Sequence, residues 1–347
     1  MNTDYGAGTE QTSPLRRLFL RLEAAFWLTR PQSLFSKVPL AAAGWLVGRA
    51  GEPTTASEAA ILVGVLAAMQ GAMFTINDVF DAPKDAISAP YLPIPSGLVS
   101  RNAARLQAVV LALCFGVGCL LLAEGLWAIF AVVATMPPAF VTMKLYGRSK
   151  SAWYSPLLGS TASSSAASWA WLLAGAHNLG AFVLLFSAAT LHGVHANLRA
   201  QLRDIHGDPL ANNLTLAVRL GAKRTFWLAA AVRFVELGLI LTMWLLFGAH
   251  WGGAFLLLAM VLLVIGVVTA PVVYQETRER IQQTEALSLW MYISFVSEIA
   301  MLATLAPMVA AATGLFMFSW FHLVRRSYYS RLVGGRLARE WKGRLSC

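Results

Sequence analysis

Apolar runs long enough to cross a bilayer recur along this chain from about residue 36 to residue 322, parted only by short polar segments. One soluble core cannot absorb so many. A spanning helix needs about 20 apolar residues at about 1.5 Å each. Windows of that kind fall at 34–50, 58–77, 104–123, 125–143, 153–175, 179–198, 225–248, 251–273 and 287–321. The first is short and carries Gly44 and Gly48; the last is long, and Pro307 is positioned to kink or divide it. Composition agrees: only 13% of the residues are charged and 57% are hydrophobic, whereas a soluble domain carries about 25% charged residues. Backbone groups in lipid must be satisfied internally, which helices achieve. The expectation is an all-α, polytopic membrane protein of about nine spans, which excludes a secreted disulfide scaffold, a disordered regulator and an ordinary cytosolic enzyme.

Lys and Arg number 27 against 17 acidic residues, a balance of +10. No basic stretch is interleaved with stacking aromatics, so nucleic acid is not the expected partner; topogenic charge beside anionic lipid is. Cys114 and Cys119 lie within an apolar run and Cys347 is terminal, which gives neither disulfide nor metal spacing. The first 30 residues lack an apolar signal core, so no cleaved signal peptide is expected. The connections after the second, fourth, sixth and eighth runs carry Lys or Arg, among them Lys84, Lys144, Arg199 and Arg278, while those around Glu124, His177 and His250 carry none. The positive-inside rule then puts the N-terminus in the cytoplasm. The chain divides into a cytoplasmic segment 1–33, a transmembrane domain 34–322 and a basic tail 323–347. Nine crossings would place that tail, with Arg325, Arg326 and five further Lys or Arg, on the opposite side. Either the run at 287–321 is not a single crossing or the tail is an exception.

The aspartates are the informative charges. There are six, and five of them stand in two short clusters: Asp78, Asp81 and Asp85, then Asp204 and Asp208. Each cluster follows an apolar run, the second and the sixth. Asp78 and Asp204 are 126 residues apart, and a loop and a helix pair follow each. That is the pattern of two four-helix halves plus one, with both clusters meeting at a shared cavity on the cytoplasmic side. Asn77, Asp81 and Asp85 recur at i, i+4, i+8, and Asp204 and Asp208 at i, i+4, so their oxygens project from one stripe of a helix. Such packing repels itself unless a cation is shared. Mg²⁺ takes hard oxygen ligands and prefers one or two carboxylates with phosphate and water. Two acidic patches among Arg and Lys therefore suit a metal-bridged diphosphate.

The segments NDVFDAPKD followed by PIPSG, and RDIHGD followed by TLAVRLG, with an early Arg30-Pro31 pair, resemble the UbiA superfamily of intramembrane prenyltransferases. The similarity covers nearly the whole chain. It implies an isoprenoid diphosphate held by Mg²⁺ between the clusters, ionised to an allylic cation, and trapped by an aromatic or quinone-like acceptor within the membrane. By the same resemblance, Asn77, Asp78, Asp81, Asp85, Asp204 and Asp208 are metal and diphosphate ligands, with Asp81 and Asp208 central to catalysis. Within LYGRSK, Tyr146 is implied as a cation stabiliser or acceptor contact and Lys150 as a diphosphate ligand; Arg203 is implied as a phosphate contact. The chain departs from the family at Ala86, Ser88, Leu92 and Ala200, where members often carry basic or amide residues, and Lys84 is placed to replace some of that charge. The superfamily also contains terpene cyclases, which ionise the same donors without an acceptor, and that alternative uses the same aspartates. Of the other polar residues in the runs, His192 and His195 are expected to pack or hydrogen-bond, Arg233 and Glu236 to pair with each other, and Glu298 to line the cavity.

Overall fold

The computed structural model describes residues 14–50, 52–88, 92–123, 125–205, 208–209, 212–247, 252–276, 288–303 and 305–328. Among them every regular element is helical. The helices are α1 (Pro14–Leu28), α2 (Leu34–Gly48), α3 (Ala56–Ser88), α4 (Arg101–Leu122), α5 (Gly125–Arg148), α6 (Ser155–Leu173), α7 (Leu179–Arg203), the short α8 (Leu216–Leu220), α9 (Ala222–Phe247), α10 (Gly252–Glu276), α11 (Ser288–Ala303) and α12 (Pro307–Tyr328). The chain is an all-α polytopic membrane protein. Five described helices, α3, α4, α7, α9 and α12, contain stretches long and apolar enough to span by themselves.

The ends of the helices follow local chemistry. Ser100 caps α4, its Oγ accepting from the amide of Ala103 at 3.1 Å. Asn178 caps α7 in the same way, accepting from Ala181 N at 3.3 Å. These side chains satisfy amides that the first helical turn leaves unpaired. Helix α3 continues through Pro83 to Ser88, which carries the first aspartate cluster at its C-terminal end.

Packing repeats between the halves. Helix α3 lies along α4 as α7 lies along α9, and α2 crosses to α6. In the α2–α6 pair Gly44 abuts Ala167 while Gly48 abuts Trp171, so the two helices run parallel, as first members of two equivalent halves must. A Cβ on Gly44 would overlap the Ala167 carbonyl. Small residues let membrane helices approach closely where hydrophobic drive is absent.

The long last run is not one crossing. Pro307 opens α12, and the α11–α12 register pairs Phe295 with Phe318 and Ile299 with Gly314. One partner rises in number as the other falls, so the two helices form an antiparallel hairpin. Helix α11 has 16 residues, about 24 Å of rise. The return leg ends near the chain's start: Trp320 Nε1 donates to Pro31 O at 3.0 Å, and Val324 packs on Trp27. Of the basic tail, residues 329–347 lie outside the described set.

Candidate active site

The ends that carry the motifs converge. At the C-terminal end of α3, Asp78 is 6% exposed and accepts from Arg30 Nη2 at 2.6 Å. Arg30 holds a left-handed backbone, φ 49°, directly before Pro31, a conformation that costs a non-glycine residue on the order of 1 kcal/mol or more. Its guanidinium also covers the Phe74 ring at 4.8 Å. The strained turn thus aims a cation at the first cluster. In the sequence, Arg30 stands out only as half of the Arg30-Pro31 pair. Its signal was an isolated Arg before Pro at the mouth of an apolar run.

One turn on, Asp81 Oδ2 accepts from Asn77 Nδ2 at 3.1 Å and from Lys150 Nζ at 3.2 Å. Lys150 stands beyond α5 and ties that helix to α3. Burial works against its charge, but Asp81, then Tyr146 and Asp85, more than offset this and hold its pKa above the ordinary lysine value. Burial together with the neighbouring Asp81 and Asp78 charges pushes the Asp85 carboxyl up to about 6, against the weaker pull of Lys150 and Arg30. Three carboxylates are crowded around two positive side chains, Arg30 on Asp78 and Lys150 on Asp81.

The second cluster is held by its own loop. Asp204 caps the end of α7. Asp208 N donates to Asp204 O at 2.9 Å, and Thr215 Oγ1 donates to Asp208 Oδ2 at 3.0 Å. Leu214 N donates to Ser151 Oγ at 3.0 Å, which clips this loop to the turn bearing Lys150. Thr215 and Ser151 were not read from sequence; a threonine opening TLAVRLG was the available sign. Tyr146 lies within electrostatic range of Lys150, Asp208, Asp81 and Asp204 together. The structure therefore brings Asn77, Asp78, Asp81, Asp85, Tyr146, Lys150, Asp204 and Asp208 to one end of the bundle. The side chains of Lys84 and Arg203 lie outside the described set.

Among the described residues no three acidic, histidine or cysteine side chains close on a common point. The donors are nonetheless all hard oxygens, in two sets that both lie near Tyr146 rather than in one cage. That suits Mg²⁺, which keeps part of its shell for phosphate and water.

The model of the UbiA prenyltransferase family matches residues 37–283. The digeranylgeranylglyceryl phosphate synthase of Saccharolobus solfataricus is 31% identical over 187 residues, covering 52% of this chain and 62% of that protein. The enzyme of the same name from Methanoregula boonei is 34% identical over 179 residues, covering 49% of this chain and 60% of its own. The chain thus spans about three fifths of the length of these relatives. Among solved structures, a UbiA homolog from Archaeoglobus fulgidus bound to GPP and Mg²⁺ aligns over 80% of this chain and 99% of that one, with a TM-score of 0.59 at 15% identity. With the family match covering most of its length, the chain belongs to the UbiA prenyltransferase family.

Proposed function

We propose that this protein transfers a prenyl group from an isoprenoid diphosphate to an aromatic or quinone-like acceptor within the membrane. The reading rests on one observation above the others: both aspartate clusters, Lys150 and Tyr146 meet at one end of the bundle. Asn77, Asp78, Asp81, Asp85, Asp204 and Asp208 would hold Mg²⁺. The ion, when bound, neutralises diphosphate oxygens and draws charge from the leaving group.

The chain's own residues do the rest. Arg30 and Lys150 lie on Asp78 and Asp81 without a donor; with one, their charges turn to the diphosphate oxygens, a geometry Arg suits well. Arg203, at the end of α7, supports the same leaving group. As the C1–O bond breaks, its electron pair leaves with the diphosphate. The allylic cation forms a new bond to the acceptor, which then loses a proton. Tyr146 offers its ring to the cation on the side between the clusters. The loops that follow each motif exclude water that would otherwise quench the cation.

The homologues' name, digeranylgeranylglyceryl phosphate synthase, widens the acceptor classes to phosphate-bearing lipids. Charge supports a cytoplasmic side for this site: the aspartate end carries the Lys- and Arg-rich connections, and α12, whose last turns carry Arg325 and Arg326, ends there. The reading is tested by product analysis over prenyl diphosphates of 10, 15 and 20 carbons, each with and without acceptor. A prenylated acceptor that forms only when acceptor is present supports transfer. A terpene hydrocarbon or alcohol formed equally well without acceptor assigns the chain to the cyclase branch instead.

A further inference from the structure

Helix α1 is apolar on two opposite faces, and protein covers only one of them. Ala24 and Leu28 are buried against Val79 and Ala82 of α3 and Ala104 of α4, and Trp27 packs on Val324 of α12. Turned away from that contact are Leu15, Leu18, Phe19, Leu22 and Phe26, each between 47% and 78% exposed. They recur at i, i+3, i+4, i+7 and i+11, which at about 3.6 residues per turn is a single stripe. Arg21 and Glu23 fall on the two edges between the faces. A contiguous exposed apolar surface of this kind marks a binding or membrane face.

The neighbours of α1 identify the medium that the stripe meets. Gln107 Nε2 of α4 donates to Ala25 O at 2.8 Å. Four residues further along each chain segment, Thr29 and Leu111 both close on Gly71 of α3, where an added Cβ would lie 3.2 Å from Thr29 Cβ and 3.1 Å from Leu111 Cδ1. The two partners rise in number together, so the end of α1 runs parallel to α4, inward from the aspartate end. Leu111 is ten residues past Arg101, the start of α4, about 15 Å of helix rise. Over the same stretch α4 turns Leu106, Val109, Val110 and Leu113 outward, within a helix long and apolar enough to cross a membrane. The stripe of α1 thus stands beside side chains that lipid must already solvate. The opposite end of α1, nearer the membrane surface, carries Arg16, Arg17 and Arg21 against Glu23 alone. Basic residues at that level attract anionic headgroups.

We propose that α1 is an interfacial lipid-binding helix: its stripe of Leu15, Leu18, Phe19, Leu22 and Phe26 inserts among the acyl chains of the leaflet at the aspartate end, and its Arg-rich start takes anionic headgroups. Helices with basic residues and a Leu- or Phe-rich face bind membranes in this way. Residues 14–28 then belong to the membrane, not to a segment free in the cytoplasm. Thr29 and Arg30 follow directly, so lipid holds the helix that leads into the turn aiming Arg30 at Asp78. The inference concerns where α1 lies, and it holds whichever reaction the site performs.

The test uses the full-length protein in nanodiscs, with Cys114, Cys119 and Cys347 replaced by Ala and one nitroxide at a time on Leu22→Cys, Phe26→Cys, Val109→Cys or Asn102→Cys. Val109 is the lipid-facing reference and Asn102, exposed at the start of α4, the water-facing one. Collision with oxygen, which concentrates among acyl chains, is compared with collision with a water-soluble nickel chelate. The oxygen-to-nickel ratio at Leu22 and Phe26 is expected within twofold of that at Val109 and at least fivefold above that at Asn102. Ratios matching Asn102 at both sites place the stripe in water and overturn the inference. Low collision with both reagents shows a protein cover instead, a second copy where spin–spin broadening accompanies it, and also overturns it. The two stripe sites stand in for each other if one label disturbs packing. A nitroxide on Leu15→Cys reads the headgroup level: mixing phosphatidylglycerol into phosphatidylcholine is expected to lower nickel collision there at least twofold, and Arg16→Gln with Arg17→Gln to abolish that change. No change on mixing overturns the assignment of anionic headgroups.

Discussion

At Asp81 a single carboxylate oxygen accepts from both Asn77 and Lys150, so the lysine is oriented before any donor arrives. Preorganised cations aimed at a leaving group act where charge develops, and removing one such donor costs about 10²–10³ in rate. Lys150→Met should therefore lower the rate of diphosphate release by about two orders of magnitude, measured as kcat with saturating donor, and Lys150→Arg should recover part of it. A Lys150→Met rate within threefold of wild type contradicts this role. The interior pair behaves differently. Arg233 and Glu236 are fully buried and bonded through two contacts. Breaking such a pair from one side costs about 3–5 kcal/mol, whereas replacing both partners by apolar residues is often neutral. Arg233→Met should thus lower the melting temperature strongly, and the double change Arg233→Met with Glu236→Leu should recover most of the loss; an additive double mutant would refute the pairing. Both pairs illustrate what was legible. The aspartates declared themselves because carboxylates are rare here and sit in two spaced groups, and Arg233 with Glu236 because they are three apart on one helix. The approach of His192 to Glu298 was not legible, because the two lie 106 residues apart on different helices and nothing local in either segment connects them.

Among the helices, the parallel contact of α2 and α6 depends on Gly44 and Gly48. Those glycines made the first apolar run look weak as a sequence window. They are what lets it pack, since they clear the Ala167 and Trp171 backbones. Overpacking a tight site costs about 1–3 kcal/mol and occasionally more. Gly44→Val should lower thermal stability by at least that amount in detergent, read as a fall in melting temperature, while Gly64→Ala, where nothing lies within 4 Å of an added Cβ, should change it little. Equal effects would refute the close approach. The hairpin of α11 and α12 shows the limit of periodicity. Pro307 marked a break within 287–321, but a kinked single crossing and two antiparallel legs leave the same hydropathy trace. The register of Phe295 on Phe318 and of Ile299 on Gly314 separates them.

For the molecule as a whole, two halves place two motifs at one end, and the last hairpin returns the chain there. A reporter fused after Tyr328 should lie on the same side of the membrane as one inserted in the turn at Ser149–Ser151; opposite sides would overturn the hairpin. The repeat spacing of 126 residues between Asp78 and Asp204 made the shared site foreseeable, because equivalent helices end on the same side. What spacing could not supply was the clip from Leu214 to Ser151 or the strained turn at Arg30, both of which join segments distant in sequence. The account stands on the two clusters acting as one diphosphate site. The most direct measurement is Mg²⁺-dependent diphosphate release by the purified protein carrying Asp81→Ala or Asp208→Ala, with bound donor quantified alongside. Each substitution, though the two lie in different halves, should abolish release while the protein remains folded; turnover retained in both variants would contradict the account.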